Sequence, residues 1–141
     1  MSKIRFVLDA WAVIAFLQAE EPANSRVKEL LADADTGTTE TCISVINLGE
    51  VFYTIAKRQG NSVARTAIAG VHKLPISVID AAEERVFAAA EVKSKYPISY
   101  ADAFAVAAAV EKQAVLATGD PEIIRWCRSI ISIEPLQRAR K

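Results

Sequence analysis

The sequence predicts an α/β fold, a three-layer α/β/α sandwich with a mainly parallel central sheet. Short runs rich in β-branched and aromatic residues alternate with longer helical runs. Strands separated by one or two helices pair in parallel through right-handed crossovers, which places helices on both faces of the sheet. The chain has 141 residues, of which 52% are hydrophobic, with five glycines and five prolines. This composition predicts a single domain, residues 1–141, whose core needs neither disulfides nor a structural metal.

The first predicted strand is Ile4–Leu8, because β-branched and aromatic residues crowd a short run that ends at an acid. The mostly apolar run from Ala10 to Ala19 predicts the helix that follows. Pro22 stands where a second helix can begin, and that helix reaches about Ala34. The short β-like run Cys42–Ser44 predicts the second strand.

A helical stretch from Val45 to Arg58 stops before Gly60 and Asn61, whose chemistry is typical of a helix end. Residues 62–73 predict a further helix. Pro75–Ile79 is the third predicted strand, and Asp80 is the expected N-cap of a helix over residues 81–95.

Pro97 ends that helix, and Ser99 is the expected cap of the next one, Tyr100–Lys112. The apolar run Ala114–Ala117 predicts a buried strand, after which residues 120–121 start a last short helix. Residues 130–133 predict the strand that closes the sheet, and the basic tail 138–141 is expected to fray.

Charge and cysteine content restrict the functional classes. Seventeen Lys and Arg balance seventeen Asp and Glu, so a nucleic-acid partner must be held by a local patch and not by the net charge. Cys42 and Cys127 show no metal-ligand spacing and are too few for a disulfide scaffold, which favours a cytoplasmic location. Asp9 interrupts the apolar N-terminal run, so we expect neither export nor a membrane partner. His72, the only histidine, is interpreted as a charge partner at a helix end.

Four acids stand near element starts where apolar residues surround them: Asp9, Glu50, Asp102 and Asp120. Asp9 and Asp120 follow strands, and ligands bind beyond the carboxyl ends of strands in open α/β sheets. Four carboxylates gathered there would repel one another and raise their pKa values unless a hard cation such as Mg²⁺ neutralised them. The pattern therefore indicates a divalent metal site.

Each acid also has a structural explanation that stays open at this point. Asp9 and Asp120 can be N-caps, and Pro121 at the first helical position makes Asp120 an ordinary helix start. Ser99 and Asp102 fit the capping-box spacing, with Asp at the third position. Glu50 has no capping explanation, although an exposed glutamate there would be unremarkable. Capping and metal binding are compatible roles for one residue.

These four acids and the residues around them make the sequence resemble the PIN domains, and among them the VapC-like toxins of toxin–antitoxin pairs. The resemblance rests on four segments spread over nearly the full chain: Val7–Ala15, Ser44–Val51, Ser99–Ala103 and Leu116–Pro121.

This resemblance implies Mg²⁺- or Mn²⁺-dependent hydrolysis of RNA phosphodiesters. It assigns Asp9, Glu50 and Asp102 as the principal catalytic and metal-binding acids, with Asp120 completing the set directly or through water. It also implies a homodimer and a cognate antitoxin that inserts a basic segment toward the pocket. Trp11 departs from the family, which often has a small hydroxyl residue two positions after its first Asp.

Two polar neighbours are expected to support the acids. Thr118 matches the family's usual hydroxyl and is expected to orient a carboxylate or a phosphate. Asn47 can act likewise for Glu50, or cap the helix. Trp11 is interpreted as a core residue, with stacking on an RNA base as the alternative.

Other functional classes fit less well. A phosphatase of the haloacid dehalogenase type would need a second Asp two residues after Asp9, where Trp11 stands. Neither of the glycine-rich nucleotide-binding motifs occurs. The main alternative is a non-catalytic PIN-like interaction module whose acidic pocket binds a basic peptide, and only the enzyme requires a metal.

Overall fold

The computed structural model describes residues 3–139. Within them the chain forms five strands and seven helices, and the predicted α/β fold is confirmed. In chain order the elements are β1 Ile4–Leu8, α1 Ala10–Leu17, α2 Ala23–Asp35, β2 Thr39–Ser44, α3 Val45–Gln59, α4 Asn61–His72, β3 Ser77–Ile79, α5 Glu83–Lys95, α6 Tyr100–Lys112, β4 Val115–Thr118, α7 Pro121–Trp126 and β5 Ser132–Pro135.

The sheet has the strand order β3-β2-β1-β4-β5, and all four strand pairs are parallel. The chain moves outward from β1 to β2 and β3, and then returns to the other side of β1 for β4 and β5. The strand order therefore reverses between β1 and β4. In open α/β sheets the crevice at this reversal is where ligands bind.

Alternating side chains of β1 divide the core into two layers, because successive residues of a strand point to opposite faces. Phe6 and Leu8 pack into the core formed with α1 to α4. Val7 packs into the second core, which α5, α6 and α7 form on the opposite face. The small residues of α6 are almost all buried, so this helix lies close against the sheet.

Two strands differ in length from the prediction. β2 begins at Thr39, because Thr39 pairs with Ile4 of β1 and its buried side chain fits the sheet despite its polarity. β3 begins only at Ser77. Pro75 cannot donate to a sheet ladder, and its carbonyl oxygen instead accepts a hydrogen bond from the Thr41 hydroxyl.

Two further predictions were wrong in detail. Asp80 is not the N-cap of α5, which begins at Glu83 with Ala82 at the N-cap position. The Asp80 carboxylate instead accepts hydrogen bonds from the Ala82 amide at 3.1 Å and the Arg85 guanidinium at 2.6 Å. The last strand starts two residues late, at Ser132, because the amides of Ile130 and Ile131 bond to the Cys127 carbonyl and form a turn after α7.

None of the helices within residues 3–139 combines the length and the apolar character that crossing a membrane requires.

Candidate active site

Sheet topology places two of the four acids side by side. Asp9 directly follows β1, and Asp120 comes two residues after β4, which pairs with β1 through Leu8 and Ala117. Both acids therefore lie in the crevice where the strand order reverses. Each is also the N-cap of the helix that follows, so the capping explanation is confirmed for both.

Asp9 is held by two hydrogen bonds at a site closed to solvent. Its Oδ1 accepts from the Ala12 amide at 2.9 Å, and its Oδ2 accepts from the Thr118 hydroxyl. The residue is only 2% exposed. Burial raises the pKa of Asp9 to about 7, the nearby charges of Asp120 and Glu50 add to the rise, and the two hydrogen bonds oppose it.

Thr118 connects the two strand-end acids. Its hydroxyl donates to Asp9 and accepts from the Asp120 amide at 2.9 Å. The expectation that Thr118 orients a carboxylate is thus met at Asp9. Asp120 itself accepts from the amides of Glu122 at 2.8 Å and Ile123 at 3.4 Å, which fixes its carboxylate at the start of α7.

Asp102 approaches from the first turn of α6. The hydroxyl of Ser99 caps this helix by accepting from the Asp102 amide at 3.1 Å, as predicted. Burial and, to a smaller extent, the carboxylates of Asp120 and Asp9 together raise the pKa of Asp102 to about 7. Asp102 therefore faces the two strand-end acids closely enough to feel their charges.

Glu50 lies on α3, half-buried, and its pKa is raised by burial and by the charge of Asp120. Asn47, one turn earlier, is completely buried. Its Nδ2 donates to Glu50 Oε1 at 3.5 Å and to the Ala101 carbonyl at 2.9 Å, which ties α3 to the start of α6. The Asn47 Oδ1 atom is buried without a hydrogen-bond partner.

The four acids form a cluster of like charges that no basic side chain of residues 3–139 pairs with in a salt bridge. As the side chains stand, no group of three or more His, Cys, Asp or Glu residues in this range is arranged to hold a metal ion. The donor set itself suits a hard divalent cation, because it consists of carboxylate oxygens with the unpartnered Asn47 Oδ1 beside Glu50.

Trp11, two residues after Asp9, packs partly buried against the core of α1 to α4. Its indole lies flat against Gly119, where an added Cβ would lie 2.5 Å from Cε2 and closer still to two other ring carbons. The Arg138 guanidinium covers the ring at 4.9 Å from its centroid and also bonds to Glu20 at 3.2 Å. Trp11 is therefore mainly a packing residue, and the predicted fraying does not extend to Arg138. Residues 140–141 of the tail lie outside the described residues.

Sequence reasoning missed two residues of this site. Gly119 is required by the Trp11 contact, which depends on the pairing of β1 with β4 and has no local pattern in the sequence. Tyr53 lies three residues after Glu50, on the same helix face, and that spacing could have indicated it. His72 is exposed at the end of α4, Cys127 is fully buried and Cys42 is half-buried.

Several solved structures with the same fold are described as toxins or toxin–antitoxin complexes. VapBC2 from Rickettsia felis, bound to a promoter DNA fragment, aligns with a TM-score of 0.72 at 17% identity over 95% of this chain and 100% of the other. Mycobacterium tuberculosis VapC20, a sarcin-ricin loop cleaving toxin, aligns with a TM-score of 0.72 at 18% identity, covering 92% and 99% of the two chains. DNA-bound VapBC from Salmonella typhimurium gives 0.70 at 19% identity, covering 94% and 98%.

Identities this low show a common fold. No curated protein matches the sequence. Residues 6–128 match the PIN domain, a stretch that includes all four acids, β4 and the carboxyl end of β1, so the resemblance seen in the sequence is confirmed: the chain belongs to the PIN domain family.

Proposed function

We propose that the protein is a metal-dependent endoribonuclease that acts as the toxin of a VapBC-type pair. The observation that carries the proposal is the cluster of two buried acids, Asp9 and Asp102, with two half-buried ones, Glu50 and Asp120. None of the four forms a salt bridge within residues 3–139. PIN domain nucleases are typically metal-dependent. A structural neighbour, VapC20, is a toxin that cleaves the sarcin-ricin loop.

In this proposal Asp9, Glu50 and Asp102 hold Mg²⁺ or Mn²⁺, with Asp120 in the same set. A bound divalent ion lowers the pKa of water and stabilises charge that develops on the attacked phosphoryl group. Thr118 keeps Asp9 oriented toward the cluster, because its hydroxyl donates to one carboxylate oxygen while the Ala12 amide fixes the other.

Burial of the acids has a chemical consequence of its own. A carboxyl whose pKa is about 7 is half protonated near neutral pH when no cation is bound. Cation binding must displace these protons, so the affinity for the cation rises with pH. We expect the activity to increase from slightly acidic to slightly alkaline pH for this reason.

The same unbalanced negative charge supports a basic protein partner. Structural neighbours include toxin–antitoxin complexes, among them one from Klebsiella pneumoniae. We propose that a cognate antitoxin covers this pocket with a basic segment, because a cation placed against the carboxylates offsets their mutual repulsion. The expected homodimer stays a prediction, which sedimentation of the purified protein tests.

The decisive experiment is an RNA cleavage assay with Mg²⁺, with Mn²⁺ and with a chelator. Wild-type protein should cleave RNA only with a divalent ion, and Asp9→Asn and Asp102→Asn should lose nearly all activity. Asp33→Asn, an exposed acid on α2, is the matched control and should cleave normally. No cleavage under any divalent condition, or full activity of both site variants, would overturn the nuclease proposal and favour a non-catalytic peptide-binding module.

A further inference from the structure

One face of α3 carries an acid, an aromatic ring and a cation in succession. Glu50, Tyr53 and Lys57 are spaced three and four residues apart, which places them on the same side of the helix. The Tyr53 side chain is exposed, with 51% of its surface accessible. The Lys57 Nζ lies 5.4 Å from the centroid of its ring, and Lys57 makes no salt bridge within the described part of the chain.

This face continues directly from the acidic cluster. Partial burial raises the pKa of the Tyr53 phenol, and the charges of Glu50 and Asp102 raise it further. The ring lies one helical turn beyond Glu50 on α3, at the part of this helix that is bonded to the start of α6, where Asp102 lies. The link from Asn47 to the Ala101 carbonyl keeps those two helices together at this point.

Position and exposure restrict what Tyr53 can bind. A phosphate placed on the ring would be repelled by the adjacent carboxylates, whereas an uncharged nucleobase would not. Lys57 lies about 6 Å beyond Tyr53 along α3, and therefore about 10 Å beyond Glu50, where it can bind a phosphate away from the acids. Aromatic rings next to a cation are the usual means of binding single strands, because every unpaired base offers a flat face.

We propose that Tyr53 is a stacking platform for an unpaired nucleobase beside the cleavage site, and that Lys57 binds the phosphate next to that base. The proposal rests on the proposed ribonuclease function and adds to it the two residues that hold the RNA beside the acids. A base inside a duplex is covered on both faces by its neighbours and cannot lie on the ring.

The test is binding of a fluorescein-labelled, random-sequence single-stranded RNA to the full-length protein in EDTA, followed by fluorescence anisotropy. Tyr53→Ala should weaken binding roughly 5- to 100-fold, whereas Tyr53→Phe, which keeps the ring, should stay within about twofold of wild type. Phe87→Ala removes an exposed ring on α5 and should have no effect. Lys57→Gln should reduce the slope of log affinity against log salt concentration by about 0.7.

Three results would overturn the proposal: no binding of single-stranded RNA, equal affinity of Tyr53→Ala and wild type, or equally Tyr53-dependent binding of a blunt-ended RNA duplex that has no loop. Sedimentation of the same variants tests the alternative that a second copy of the chain covers this face of α3. If Tyr53→Ala dissociates a dimer without changing the RNA affinity per chain, this face of α3 binds a second copy of the chain and the stacking proposal is wrong. Tyr53-dependent binding without cleavage in Mg²⁺ would overturn the nuclease proposal and leave the stacking site standing.

Discussion

Replacing Asp9 with asparagine is expected to stabilise the metal-free protein at alkaline pH. Asp9 is 2% exposed, and its pKa is raised from 3.8 to about 7, chiefly by burial. Between these two values the folded protein holds a proton that the unfolded chain has lost. The free energy of unfolding therefore falls as the pH rises from about 4 to about 7, and stays low above that.

The size of the effect follows from the same two values. A difference of about three in pKa corresponds to about 4 kcal/mol of free energy lost on ionisation. The asparagine of the variant can keep the cap, because its side-chain oxygen can still accept from the Ala12 amide. The Thr118 hydroxyl loses its carboxylate acceptor, which costs about 1 kcal/mol. We expect a net gain of about 2–3 kcal/mol at about pH 8 in EDTA.

Urea denaturation at about pH 4 and about pH 8, both in EDTA, measures this directly. Wild type should lose stability between the two, and Asp9→Asn should lose about 4 kcal/mol less, because the contribution of the Asp9 carboxyl is gone while that of Asp102 stays. Glu134→Gln is a control of opposite sign, because Glu134 pairs with the Arg26 guanidinium at 2.6 and 2.9 Å, so its loss should destabilise the fold by about 1 kcal/mol. Added Mg²⁺ should stabilise wild type and not Asp9→Asn. An asparagine variant less stable than wild type at about pH 8 would refute the reasoning.

Two further predictions concern the neighbours of this carboxylate. Gly119→Ala should destabilise the protein by about 1–3 kcal/mol, because the added Cβ overlaps the Trp11 indole. This loss of stability should be smaller in the Trp11→Ala background, where the indole is absent. If urea denaturation shows that Gly119→Ala costs the same with Trp11 present and in the Trp11→Ala background, the contact is contradicted. Thr118→Val should move the acidic limb of the pH profile of RNA cleavage to higher pH, because the hydroxyl that lowers the pKa of Asp9 is lost. Thr118→Ser keeps the hydroxyl and should show the wild-type pH profile. An unchanged pH profile in Thr118→Val would contradict the role of that hydroxyl.

Features determined by neighbouring residues could be predicted from the sequence. The caps at Asp9, Ser99 and Asp120 depend on bonds that reach two or three residues along the chain, and all three were predicted correctly. Helix α6 was predicted with its observed bounds, because Ser99 starts it and the β-rich run after it ends it.

Features that depend on distant pairing could not be predicted in the same way. Asp80 has the composition of a cap, but the guanidinium of Arg85, which also binds Glu111, draws its carboxylate away from that role. The Trp11 contact with Gly119 exists only once β4 lies beside β1. The sequence places a large ring where the family often has a small hydroxyl, and only the packing explains how the ring fits.

The acids of the crevice have two roles: their side-chain oxygens cap helices, and their negative charge serves the proposed metal binding. Asp9 and Asp120 each start a helix by accepting backbone hydrogen bonds, a role that asparagine could fill without charge. The raised pKa of Asp9 shows that its negative charge opposes folding, since burial costs more than the two hydrogen bonds return. Capping therefore accounts for the shape of the side chain at this position and leaves its charge unexplained. A bound cation is the simplest group that would make the charge favourable, and this is why the stability of Asp9→Asn separates a structural acid from a metal ligand.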